Sequence, residues 1–216
     1  MDIQWSFILT VIPTILKGIK VTLLISVLGI ALGFVLGFLT GVARTGKNRI
    51  LNRIAGIYVG IIRGTPLMVQ ALYIYFAIPT IFQFDLSTVA AGVIAIGLNS
   101  GAYISEVVRG AIQSIDPGQK EAGICLGLSK WQVATSIVYI QALKIMLPGL
   151  GNQFIISVKD TSLLTAIGVA EMTHQASRAV TTTFRTVETY TALAVVYLVL
   201  CSGMSYLLKK MERRMK

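Results

Sequence analysis

Charge is scarce in this chain. Asp, Glu, Lys and Arg make up 13% of its 216 residues, about half the share of a soluble domain. Acids are the scarcer sign, nine against 19 Lys and Arg, giving a formal charge of +10. Histidine occurs once, at His174, with no Cys or second His near it in sequence. A metal site wants three or four ligands, so none is expected there. Two cysteines, Cys125 and Cys201, are too few for a disulfide framework and read as free thiols with a packing role. There is no G-x-x-x-x-G-K-[ST] stretch, so the chain does not bind ATP through such a loop. No HExxH occurs, nor a Ser/His or Asp/Asp pair at one depth, which ranks an intramembrane enzyme last. A cleavable signal is not expected, because residues 21–40 are too long for a signal core and no Ala-x-Ala site follows.

What fills the chain is apolar, 55% of it. Runs of about 20 such residues cross the hydrocarbon core as helices. Five spans are read, at residues 21–43, 54–78, 87–108, 147–169 and 188–208, making residues 1–216 one all-α membrane domain. The first 20 residues, with Trp5, Phe7 and Pro13, read as an interfacial segment. Residues 131–146 are mixed and end at Pro148, which places them on or near the inner surface. The seven methionines are dispersed and read as packing.

The basic residues gather at the ends of apolar runs, not in one stripe, so nucleic acid is not an expected partner while membrane lipid is. Arg44, Lys47, Arg49 and Arg53 follow the first span, and Lys209, Lys210, Arg213, Arg214 and Lys216 form the tail. The loop after the second span has no Lys or Arg. This asymmetry puts the N-terminus outside and the C-terminus in the cytosol of a multi-pass cell-membrane protein. Lys17, Lys20, Arg178 and Arg185 run against the trend and are outnumbered.

Three blocks carry more than hydropathy. Gly29, Gly33, Gly37 and Gly41 repeat every four residues, which lines one helix face with glycine for close packing. In the segment 114–128, Asp116 can cap a helix that starts at Pro117, and Gly127 offers its stop. The second span is interrupted by Arg63-Gly64-Thr65-Pro66, where Pro66 predicts a kink.

The block from Asp116 through Pro117, Gly118, Glu121 and Ala122 to Gly127 resembles the EAA loop of ABC importer permeases. Gly123 stands where that family has its third Ala, and the Pro of its Ile-x-Leu-Pro continuation is missing at 137–140. The stretches 63–70 (RGTPLMVQ) and 99–110 (NSGAYISEVVRG) resemble the histidine, glutamine and arginine type of polar amino-acid permease. The likeness extends from about Lys17 to Arg214. It implies a type I importer permease with five spans and a coupling helix docked on an ATP-hydrolysing subunit. It also implies a dimer of ATP-binding subunits that carries ATP and Mg, a second permease copy (homodimer or paralogue), and an external solute-binding protein. The implied function is import of a polar amino acid by alternating access. The competing class is an ATPase-independent secondary transporter or channel, which would show inverted repeats and paired broken helices.

Polar residues inside a span are candidates for substrate contact. Gln153, Ser157 and Asp160 fall on one face of the fourth span, with Lys159 about 100° round. Lys159 is expected to meet a substrate carboxylate and Asp160 an ammonium, with Gln153 toward the substrate side chain. Asn99 and Ser100 are placed at similar depth. Arg63 and Glu106 are expected to form a structural ion pair that lowers the cost of both charges.

Overall fold

The structure, a computed structural model, describes residues Gln4 to Met215, so Lys216 of the basic tail lies outside it. It is helical throughout, with no strand among the described residues. The helices are α1 (Phe7–Leu16), α2 (Ile19–Ala43), α3 (Arg49–Arg63), α4 (Leu67–Phe82), α5 (Thr88–Gln113), α6 (Pro117–Cys125), α7 (Lys130–Ile167), α8 (Met172–Thr183) and α9 (Thr186–Met215). Four of them, α2, α5, α7 and α9, are long and apolar enough to cross a membrane, and the bent pair α3–α4 would make a fifth span.

Glycine decides how the bundle is centred. A Cβ on Gly29 would come within 2.6 Å of Ile96, one on Gly37 within 2.6 Å of Ile104, and one on Gly41 within 2.7 Å of Val108. At Gly33 it would overlap the Ser100 hydroxyl. The partner α5 answers with Gly97, set against Leu32, and Gly101, set against Leu36 and Tyr58. Helices in lipid gain no hydrophobic drive from meeting each other, so this close approach, with its dispersion contacts, is what joins α2 to α5. Tyr58 of α3 docks on the same seam by donating its hydroxyl to the Leu98 carbonyl at 2.7 Å.

Two features depart from the reading of residues 54–78 and 147–169 as simple spans. Between α3 and α4 the axis turns by 103°, far more than a kink. Pro66 bars the helical region to the residue before it, and Gln70 then fixes the corner. Its amide donates to the Ile62 carbonyl (2.8 Å), the Thr65 carbonyl (3.0 Å) and the Thr65 hydroxyl (2.9 Å). In α7, residues 131–146 are not a separate element. They continue through Pro148 into one helix of 38 residues. At 1.5 Å per residue that is about 57 Å, longer than the hydrocarbon core, so one end projects beyond it. A proline inside such a helix is tolerated because neighbouring groups satisfy the freed carbonyl. The path is not uniform: Val133–Val138 is a π turn and Thr161–Ile167 is 3₁₀.

The segment before the last helix is pinned from within. Buried Glu171 caps α8, accepting from the backbone N–H of Thr173 (2.7 Å) and His174 (2.6 Å), and from the Tyr197 hydroxyl of α9 (3.1 Å). Burial raises its carboxyl above the ordinary value, and those donors offset only part of the rise. The N-terminal α1 packs on α8 and α9 through Val11, Ile15 and Met172.

At the end of α5 near α6, Glu106 collects arginines from three elements. Arg44, which follows α2, is 2.5 Å from Oε1. Arg109, one turn along α5, reaches Oε2 through Nε at 2.9 Å and a terminal nitrogen at 2.6 Å. The expected Arg63 partner is present at 3.5 Å, but it is the loosest of the three. Its guanidinium also lies over the Tyr103 ring, 5.3 Å from the centroid.

Adding one methyl group at Gly37 should lower stability by about 1–3 kcal/mol through overpacking. Gly203→Ala, where a Cβ meets nothing within 4 Å, should be neutral or slightly stabilising, and thermal unfolding in detergent compares the two. For the carboxylate cluster, Glu106→Gln and Arg44→Gln should be non-additive, the double variant costing less than the sum by 1 kcal/mol or more. Strict additivity in the same melts would mean the pair carries no energy.

Candidate functional site

The bend between α3 and α4 opens onto a cavity of about 610 Å³. Arg63, Gly64, Thr65, Pro66 and Leu67 form one wall, Asn99 and Tyr103 of α5 a second, and Gln153, Ile156 and Asp160 of α7 a third. The α7 residues are spaced i, i+3, i+7 and so present one face. The corner itself is fixed, because Asn99 donates its amide to Gln70 Oε1 at 3.2 Å while Gln70 holds the bend. The arginine at the mouth is close to half exposed (45%). It therefore faces the space with a guanidinium that Glu106 only partly occupies.

The expected contacts divide. Gln153, Asp160 and Asn99 line the cavity. Ser157 and Ser100 do not: both are buried at 1% exposure. The Ser100 hydroxyl is turned back to the Ile96 carbonyl at 2.6 Å, against Gly33. Lys159 is exposed and absent from the cavity wall, unlike the other charged residue of that pair, Asp160. Adjacent residues on a helix point about 100° apart, so with Asp160 turned inward its neighbour is turned away. The cation that shares the cavity wall with Asp160 is Arg63. Sequence reasoning placed it as a brace only, and missed Gln70 and Arg44 as positioning residues. The signal for Gln70 lay in the block that carries it, four residues after Pro66, within reach of the carbonyls that a helix break frees.

At the basic end of the bundle, α6 is capped as its residues predict. Asp116 accepts from the Gly118 N–H at 2.6 Å, and Pro117 occupies the first turn. Gly127 has φ +83°, the left-handed conformation that ends a helix. The Leu128 N–H returns to the Gly123 carbonyl at 3.1 Å. Gly123, the departure from the EAA pattern, is buried: a Cβ there would lie 2.8 Å from Ile137 and 2.9 Å from Val133. The glycine lets α6 sit directly on the π turn of α7. Glu121, Ala122 and Leu126 (81%) are exposed, as is Trp131 (73%).

Residues 29–216 match the family described as binding-protein-dependent transport system inner membrane component. The glutamine transport system permease protein GlnP of Escherichia coli (strain K12) is 48% identical over 217 residues, covering all of this chain and 99% of that one. The arginine transport system permease protein ArtQ of Bacillus subtilis (strain 168) is 32% identical, with 100% and 99% coverage. A solved structure of an amino acid ABC transporter with histidines superposes with a TM-score of 0.92 at 34% identity, covering 99% of this chain and all of that one. With the family model spanning most of its length and a relative at 48% identity end to end, the chain belongs to the binding-protein-dependent transport system inner membrane component family.

Proposed function

We propose that the cavity between the α3–α4 bend, α5 and α7 holds a polar amino acid during import. The carboxylate of the substrate faces Arg63, its ammonium faces Asp160, and its side chain lies toward Gln153 and Asn99. The observation that carries this reading is a guanidinium and a carboxylate lining one cavity, since a zwitterion needs one site of each sign. The chain is the membrane-spanning subunit of an ATP-driven importer and not the ATPase. Names of full-length relatives, glutamine and arginine permeases, agree with a polar amino acid as cargo.

An ATP-binding subunit and a solute-binding protein complete the system. ATP and Mg bind the partner subunit. The α6 end lies in the cytosol and the N-terminus outside, an orientation supported by Lys and Arg near α6 and in the tail. A second permease subunit, a further copy or a paralogue, covers the exposed apolar face of α3, where Ile54, Ile57 and Ile61 lie open. On the cytosolic side α6 docks on the ATP-binding subunit through the surface around Glu121 and Ala122.

Removing one partner of a charge-assisted hydrogen bond costs about 1.5–3 kcal/mol. Arg63→Gln and Asp160→Asn should therefore each cut uptake of every substrate tenfold or more in proteoliposomes holding the complete transporter, while Lys159→Gln leaves it near normal. Loss in the lysine variant with retention in the arginine variant would overturn the assignment. Gln153→Glu should shift preference from glutamine toward arginine or lysine. An unchanged ranking with robust transport would place selectivity in the binding protein. For α6, Gly127→Val forces a β-branched residue to positive φ. The expected result is a chain that still inserts in the membrane but recovers less ATP-binding subunit on purification and loses substrate-stimulated hydrolysis.

A further inference from the structure

A second cavity, about 680 Å³, lies where the α2–α3 turn, α6 and the first turns of α7 meet. Arg44, Lys47, Lys120 and Lys130 line it, and no acidic side chain does. Arg44 is already held by Glu106. Lys47, Lys120 and Lys130 enter no ion pair among the described residues. The nearby helix starts do not serve as free donors, because Asn48 caps α3 and Ser129 caps α7. Three ammonium groups on three separate elements thus converge on one concavity without a counter-charge. Such a site repels itself and attracts an anion.

The rest of the wall is apolar, formed by Val42, Ile112, Val138 and Tyr139 among others. A free anion leaves that wall in contact with water. An acidic side chain from a docked protein meets the lysines and leaves it uncovered as well. A molecule with a phosphate at one end and hydrocarbon at the other satisfies both parts. Val42 and Ile112, near the ends of the membrane-crossing helices α2 and α5, line the cavity, and the ends of spans are where lipid headgroups are met. Basic pockets between membrane helices are a recognised form of anionic-lipid site.

We propose that this cavity binds the phosphate headgroup of an anionic phospholipid through Lys47, Lys120 and Lys130, with acyl chain packed along Val42, Ile112 and Val138. Lys120 is on α6 and Lys47 on the α2–α3 turn. A phosphate shared between them ties α6 to the body of the bundle, so lipid binding and the placement of α6 are linked.

The test uses the full-length chain, stripped of lipid in detergent and titrated with phosphatidylglycerol or phosphatidylcholine, with bound lipid counted by native mass spectrometry. Phosphatidylglycerol should bind at least tenfold more tightly. The variant Lys47→Gln/Lys120→Gln/Lys130→Gln should lose that preference, by about fivefold per lysine. Lys120→Gln alone should lose one such step, which keeps the test open if the triple variant does not fold. Arg49→Gln/Arg53→Gln, charges on α3 that do not line the cavity, should keep the preference; an equal loss there would mean diffuse surface charge and no site. Glycerol 3-phosphate is added as competitor at the lipid's concentration. No displacement supports the lipid, and full displacement makes a soluble phosphate compound the ligand and overturns the lipid assignment. A triple variant that keeps phosphatidylglycerol but no longer recovers the ATP-binding subunit would assign the lysines to a protein contact and overturn it too.

Discussion

The contact on which the other elements depend is the seam between α2 and α5. It is made by absent side chains: four glycines of α2 and two of α5 bring the backbones close enough that a single added methyl group at Gly29, Gly37 or Gly41 would fall within 2.7 Å of its neighbour. Everything functional is referred to this pair. Tyr58 fastens α3 to it, and Asn99 fastens the α3–α4 corner to it through Gln70. Arg44, just past the end of α2, meets Glu106 of α5. One wall of the cavity and the Glu106 cluster are therefore built on one joined pair of helices, while α6 rests on the π turn of α7.

The charge pattern follows the same geometry. One carboxylate, Glu106, gathers three guanidinium groups. Removing that carboxylate would leave arginines facing each other across the end of the seam, whereas removing any one arginine leaves two. The unequal distances matter as much as the number. Arg44 and Arg109 are close and act as braces, while Arg63, at 3.5 Å and partly stacked on Tyr103, keeps bonding capacity for the cavity.

How much of this was legible in the sequence depends on whether a feature is local. The glycine face, the Asp116 cap, the Pro117 start and the Gly127 stop are each written in a few neighbouring residues, and the structure has them where the pattern puts them. Features that rest on distant partners were not legible. The 103° turn at Gly64–Pro66 is held through Gln70 by Asn99 of α5, 29 positions away. The continuity of α7 through Pro148 depends on neighbours that no window reports. Lys159 and Asp160 are adjacent in sequence at one depth, and only packing decides which of them turns inward. The Arg44–Glu106 contact spans 62 positions, and hydropathy assigns Arg44 to a basic loop.

The glycine seam also has a mechanical consequence. α5 runs unbroken for 26 residues, about 39 Å at helical rise, and laminated to α2 it behaves as a stiff beam. Asn99 and Tyr103 sit partway along the beam, and α6 is mounted just past its end. A displacement applied at the α6 end would tilt the whole beam and carry Asn99 and Tyr103 with it, as a lever arm does. The compliance lies elsewhere, in the π and 3₁₀ segments of α7, which is where a stroke delivered at one end would be taken up.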